Sequence, residues 1–177
     1  MIMNKNFKIV VLAGGVGPER EISNRTGKAL SEALKKNFQV ELIELTEEQL
    51  PTGINPEECI VFPAIHGTFG EDGRLQKMLE GRGINYSGSD SQSSRLCMDK
   101  FESKKAVAKS GVRVAPDVVF HHPSEVNISE VLSSLGQDLI IKPTDQGSSV
   151  ALYVLNGEEE LRNTLNQIDS GNWMVEK

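Results

Sequence analysis

The chain is poor in cysteine, with two thiols among 177 residues. Cys59 and Cys97 stand too far apart for a CxxC pair, which leaves a thiolate metal or redox site without support. Both sit beside apolar residues, and the expectation is two buried free thiols. Long apolar runs are also scarce. The run from Ile9 to Ala13 is too short to span a bilayer, which needs about 20 residues. It is also shorter than a secretory h-region. The expected setting is therefore cytoplasmic, with no membrane partner. An excess of positive charge is missing too. Lys and Arg number 19 against 25 Asp and Glu, a net charge of −6. Such a chain repels a nucleic-acid backbone, so nucleic acid is not an expected partner. Two phosphate fingerprints are absent as well. The pattern G-x-G-x-x-G breaks at its third position, reading Gly15, Gly17 and Arg20, and no Walker A loop occurs. There is no internal repeat and no low-complexity block.

What remains is an ordinary globular composition, 38% hydrophobic with 16 glycines. Residues 7–13 are β-branched and apolar and end at Gly14-Gly15, which suits a buried parallel strand. Ile22, Ala29, Leu30, Ala33 and Leu34 recur at helical spacing to about Lys36. A strand is expected over 38–45 and a short capped helix at Thr46–Gln49. A second buried strand is expected over Cys59–Ile65, then a helix capped by Asp72, then a short strand at Ile84–Tyr86. This β-α-β-β-α-β order implies a layered, mostly parallel α/β unit. Residues 87–94, Ser-Gly-Ser-Asp-Ser-Gln-Ser-Ser, read as a linker or binding loop. They place a domain boundary at 94/95, giving domains 1–94 and 95–177. Beyond it, Asp99 opens a basic helix that Gly111 ends. Strands are expected at 117–121, 138–142 and 149–155, and helices at 129–135 and 158–168. Trp173–Glu176 reads as a strand that either pairs with a further segment of chain or forms an edge.

Four segments carry chemistry. The turn Gly14-Gly-Val-Gly-Pro-Glu-Arg20 exposes backbone N–H groups at a helix start, and Glu19 there could receive an ammonium group. His66 follows the second strand, at the end where open α/β sheets bind ligands. Lys100, Lys104 and Lys105 lie on the basic helix. Lys142 ends an apolar strand before a Gly-Ser-Ser loop at 147–149, where N–H groups, hydroxyls and a cation suit a triphosphate. Taken singly, each segment also has a plain structural reading: a tight turn, a hydrogen-bonded histidine, solvated lysines, a hairpin.

In combination and in this order, GGVGPEREIS (14–23), AIHGTFGEDGRLQKMLE (64–80), YSGSDSQSSRLCMDKFESK (86–104), LIIKPTDQGSSV (139–150) and WMVEK (173–177) resemble the D-alanine–D-alanine ligase family of the ATP-grasp superfamily. The resemblance implies a small parallel-sheet, Rossmann-like α/β domain followed by part of an ATP-grasp α+β domain. It implies ATP-dependent joining of two D-alanines through an acyl phosphate, for peptidoglycan synthesis in the cytoplasm, with ATP and Mg²⁺. By motif match, Glu19 would hold the ammonium of the first D-alanine. Ser148 would join Glu19 in a hydrogen-bond network and share its catalytic role. Ser23 and His66 would border the first D-alanine. Lys100, Lys142, Gly147, Ser148 and Ser149 would hold ATP phosphates, and Glu176 and Lys177 would meet adenine. The family's dimerisation implies a homodimer through the amino-terminal domain. Two positions depart from the family, Gly17 for a usual Ser and Ala151 for a usual Gly. The resemblance does not reach the family's last third, which carries the Mg²⁺ carboxylates, so no metal ligand is expected in 1–177. The chain alone is expected to lack ligase activity. Two other readings stand beside this one: a non-catalytic or split-ligase binding module, and a D-alanine–D-lactate type ligase.

Overall fold

The computed structural model describes residues 7–147 and 151–177. They fall into two compact units that divide between Cys97 and Met98. No helix among the described residues is long and apolar enough to cross a membrane.

The first unit is built on a three-stranded parallel sheet. Its elements are β1 (Lys8–Gly14), α1 (Arg20–Leu34), β2 (Gln39–Leu45), β3 (Cys59–Pro63), α2 (Arg74–Gly81) and α3 (Ser91–Met98), with strand order β2-β1-β3. β1 lies in the middle, and both of its faces are buried from Ile9 to Ala13. Its alternate residues feed two cores. Ile9 and Val11 pack with Leu30 and Leu34 of α1. Val10 and Leu12 pack with Leu75 and Leu79 of α2 and with Phe69. A strand covered on both sides needs apolar side chains at every position, which is why its sequence does not alternate.

The face that α1 turns to the sheet is only partly the expected one: Leu30 and Leu34 pack on it, but Ile22, Ala29 and Ala33 are exposed. Ser23, Gly27 and Ser31 are its buried residues, while Ile22 is 48% exposed. The reason is close approach: a Cβ on Gly27 would sit 2.4 Å from Ala13 Cβ. Only small side chains fit that seam.

Other local expectations also change. Residues 46–49 form bends rather than a helix. Pro51 disfavours helix in the residue before it, and a single turn does not repay nucleation. β3 stops at Pro63, and 84–86 contributes one bridge, Val61 to Tyr86, in place of a strand. Gly73, in the left-handed conformation, precedes α2; Asp72 instead accepts from the N–H groups of Phe69 (2.8 Å) and Arg74 (3.0 Å). The polar stretch expected as a linker is helical from Ser91, because Glu80 takes the Ser91 N–H (2.8 Å) and hydroxyl (2.6 Å). The expected boundary at 94/95 therefore falls inside α3. Cys59 is buried as expected, but Cys97 is exposed, since α3 buries none of its residues.

The second unit is a four-stranded antiparallel sheet with helices. Its elements are α4 (Lys100–Lys109), β4 (Asp117–Phe120), α5 (Ile128–Leu135), β5 (Asp138–Pro143), β6 (Tyr153–Asn156), α6 (Gly157–Leu165) and β7 (Trp173–Glu176). The Asp99 side chain caps α4 by accepting from the N–H groups of Phe101 and Glu102. Strand order is β4-β7-β5-β6. β7 is thus an interior strand, paired with both β4 and β5, and is neither an edge nor a strand awaiting a partner. One sheet face, with Val118, Phe120, Leu139, Ile141, Tyr153, Leu155 and Val175, packs on Val131 and Leu135 of α5 and Leu161 and Leu165 of α6. By the two-residue period of strands, the opposite face carries Asp117, Val119, Ile140, Lys142, Val154, Met174 and Glu176.

Candidate functional site

In the first unit the candidate residues gather beyond the carboxyl ends of β1 and β3. Gly14 and Gly15 turn the chain with φ of 83° and 99°, a region that glycine enters without a Cβ clash. Glu19 stands just before α1. Its carbonyl accepts the Ser23 N–H at 2.9 Å and the Ser23 hydroxyl at 3.0 Å. The fully buried Ser23 Oγ in turn accepts the His66 N–H at 2.9 Å. One hydroxyl therefore ties the start of α1 to the segment after β3.

The His66 ring is held at both nitrogens, with Nε2 3.0 Å from Thr26 Oγ1 and Nδ1 3.4 Å from Glu71 Oε1. Glu71 also accepts the Gly67 N–H at 2.9 Å. Gly67 has φ of 77°, and a Cβ there would lie 2.4 Å from Glu19 Oε2. The Glu19 carboxylate thus rests against glycine backbone, beside the imidazole segment. Glu19, Ser23 and His66, expected together, are together. Thr26 and Glu71 escaped sequence reading; Thr26 lies three residues beyond Ser23, on the same side of the helix.

In the second unit the candidates gather on the sheet face opposite α5 and α6 and at the end of β5. Glu176 accepts from Lys104 at 3.1 Å and pairs with Lys142; Lys104 also reaches Asp117 at 2.5 Å. The strand register explains the grouping, because Glu176 lies opposite Asp117 on one side and Ile140 on the other. Burial pushes the Glu176 carboxyl up, but hydrogen bonds and charge from Lys142 and Lys104 outweigh it and hold the group below its ordinary range.

Lys100 stands in the first turn of α4. Its N–H donates to Thr144 O at 2.8 Å, and its ammonium reaches Thr144 O at 3.5 Å and Gln146 O. Burial lowers the Lys100 pKa, and the positive charge of Lys142 lowers it further. Two ammonium groups thus share the end of β5, a half-desolvated arrangement that an anion stabilises. Gly147 is described and half-buried. Ser148 and Ser149 lie outside the described residues. Ala151 takes φ of 51°, a left-handed conformation that is costly for alanine. Lys177 donates its N–H to Pro116 O at 3.2 Å.

Lys104 and Asp117 were not singled out as partners of Glu176. The one available signal was the four-residue spacing of Lys100 and Lys104, which puts both on one helix face. No group of three or more His, Cys, Asp or Glu among the described residues is arranged to hold a metal ion.

Residues 49–89 match the family model described as D-ala D-ala ligase N-terminus. The chain is 36% identical over 163 residues to a D-alanine–D-alanine ligase of Clostridium beijerinckii, covering 91% of this chain and 54% of that one. It is 38% identical over 157 residues to the D-alanine–D-alanine ligase of Halalkalibacterium halodurans, covering 88% and 51%. Its fold matches the crystal structure of the Bacillus anthracis D-alanine–D-alanine ligase complexed with ATP, with a TM-score of 0.85 and 32% identity, over 98% of this chain and 57% of that one. The chain spans about half the length of the relatives it matches in sequence. In sequence and in its succession of a parallel α/β unit and an antiparallel α+β unit, it belongs to the D-alanine–D-alanine ligase family of ATP-grasp enzymes and corresponds to part of the full-length members.

Proposed function

We propose that this chain supplies the amino-acid-binding unit and part of the nucleotide-binding unit of a ligase that joins two D-alanines at the expense of ATP, through an acyl phosphate. The product is a dipeptide for peptidoglycan, and the setting is the cytoplasm. The observation that carries the reading is the pair of ammonium groups, Lys100 and Lys142, at the end of β5, where burial first and then the charge of Lys142 depress the Lys100 pKa. An ATP polyphosphate relieves that repulsion, so the residues fit the nucleotide. Fixed cations of this kind stabilise the charge that develops on a transferred phosphoryl group, with no reorganisation at the moment of reaction. Gly147, Ser148 and Ser149 would add N–H and hydroxyl donors, and Glu176 and Lys177 would border the adenine.

On the first unit, Glu19 would take the ammonium of the first D-alanine. His66 would border its carboxylate, oriented by Thr26 and Glu71 at its two nitrogens. Ser23 fixes the distance between them through the bonds to Glu19 O and His66 N–H. Magnesium would accompany ATP in this chemistry and offset phosphate charge; no His, Cys, Asp or Glu group arranged to hold it is found among the described residues. Asp145 is engaged by Asn172, and Glu176 by two lysines. A homodimer through the first unit accompanies the reading.

Calorimetry on the 177-residue chain, with ATP and with D-alanine separately, tests it. Both ligands bind in the expected outcome. Lys142→Ala weakens ATP by about ten- to hundredfold, the worth of a charge-assisted hydrogen bond, and leaves D-alanine unchanged. Failure to bind either ligand sinks the ligase reading in favour of a structural or degenerate module. The chain alone releases no phosphate from ATP and D-alanine at the pace of an intact ligase; such release would refute this part of the proposal.

A further inference from the structure

The residues that follow β5 are fixed from two sides, and only one of those sides carries a residue already assigned to phosphate. On that side, Lys100 takes the Thr144 carbonyl through its N–H and reaches the Gln146 carbonyl through its ammonium. On the other side stands Asn172, in the turn before β7. Its carbonyl accepts the Thr144 N–H at 2.8 Å. Its side-chain Nδ2 donates to Asp145 Oδ2 at 2.9 Å. A carboxylate only accepts, so the Asn172 nitrogen must face Asp145 and its Oδ1 must face His121. The His121 Nδ1 lies 3.1 Å from that oxygen and therefore carries a proton. The Gly171 N–H donates to His121 O at 2.8 Å, which holds the histidine and the turn together.

This matters for an anion site because Asp145 is an acid beside the cation pair; its charge already acts on Lys100. A carboxylate free to swing onto Lys100 or Lys142 would compete with phosphate. Its hydrogen bond to Asn172 keeps it turned to the β7 side, while Thr144, 4% exposed, stays anchored at both its N–H and its carbonyl.

We propose that Asn172 and Asp145 are a positioning pair that presets the segment after β5 for phosphate and keeps the Asp145 carboxylate off the two lysines, with His121 orienting the Asn172 amide. The inference rests on the nucleotide reading of this unit. Neither residue touches the nucleotide; both act through Thr144 and Lys100.

An exchange of the pair tests it in the 177-residue chain. Asn172→Asp sets two carboxylates face to face, and ATP affinity by calorimetry falls about tenfold, the worth of one lost charge-assisted hydrogen bond. Hydrogen exchange at the Thr144 amide quickens in the same variant. Asp145→Asn alone keeps an acceptor for Asn172 Nδ2 and stays close to the unaltered chain. The double variant N172D/D145N restores a donor–acceptor pair with the two partners reversed, and it recovers both affinity and Thr144 protection. That recovery is the coupling expected of residues acting as a unit, and a general loss of structure would not produce it. Three results overturn the proposal: N172D binding ATP like the unaltered chain, no recovery in the double variant, or an affinity loss accompanied by faster exchange throughout the second unit. If the unaltered chain binds no ATP, or K142A binds it equally well, the nucleotide reading itself falls and this inference falls with it. That outcome is distinct, because the Lys142 arm reports it before any Asn172 variant is compared.

Discussion

Glu176 illustrates how much a single side chain depends on its neighbours. Burial alone would favour its neutral form, yet two lysine ammonium groups pair with the carboxylate and hold it ionised. Its folded pKa lies below the ordinary 4.5, so the folded chain releases this proton more readily than the unfolded chain. The stabilisation is fully present above pH 4.5 and is lost as pH falls toward the depressed value. Glu176→Gln is therefore expected to be less stable than the unaltered chain at pH 7, with the gap narrowing below pH 4.5; urea unfolding across that range measures it. Removing the carboxylate also leaves Lys104 and Lys142 with one acid fewer between them, and uncompensated half-buried charge is costly. Asp72 follows the same sign for a different reason. Burial raises it, but backbone N–H donors from Phe69 and Arg74 and the Arg74 guanidinium bring it below its usual range.

At the scale of elements, helices are set by their ends and seams. α4 buries none of its residues, so little packing compensates if its cap is lost. Asp99→Ala removes the acceptor for two N–H groups and is expected to cost about 1 kcal/mol. Denaturant titration followed by a probe in the second unit reads that loss. α1 obeys a different constraint. Alanine is the better helix former by about 1 kcal/mol, which by itself would make Gly27→Ala stabilising. The new methyl, however, would stand 2.4 Å from Ala13 Cβ, and overpacking of a fixed seam costs about 1–3 kcal/mol. Packing wins, so Gly27→Ala is expected to destabilise the first unit, and adding Ala13→Gly is expected to recover part of the loss. Thermal melts of the two variants decide the sign.

At the scale of the whole molecule, each unit has its own buried cluster, one around Leu12, Leu75 and Leu79 and the other around Leu139, Ile141 and Leu161. Ile141 is fully buried, and Ile141→Ala is expected to cost the second unit about 2–5 kcal/mol through lost burial and a residual cavity. Amide exchange along β5 and β7 would register it. Lys142 shares β5 with Ile141 but points to the other face, so loosening this core also loosens the platform beneath the lysines.

What the sequence by itself determined was local. The unbroken apolar runs that make β1 and β3, the Asp99 cap and the glycine stops all follow from residues near one another in the chain. Their physics is that of propensity, capping and strand ends. The tertiary structure alone decided which distant pieces meet. It placed β7 in the interior of its sheet and set a small-residue seam of α1, beside Leu30 and Leu34, against the sheet. It turned a serine-rich stretch into a helix through Glu80. It also set Lys104, Asp117, Lys142 and Glu176 in one ion-pair group, and Asn172 against Asp145. These outcomes depend on strand register and on how closely two backbones approach. Both are fixed by the free energy of packing elements far apart in sequence, which local patterning does not encode.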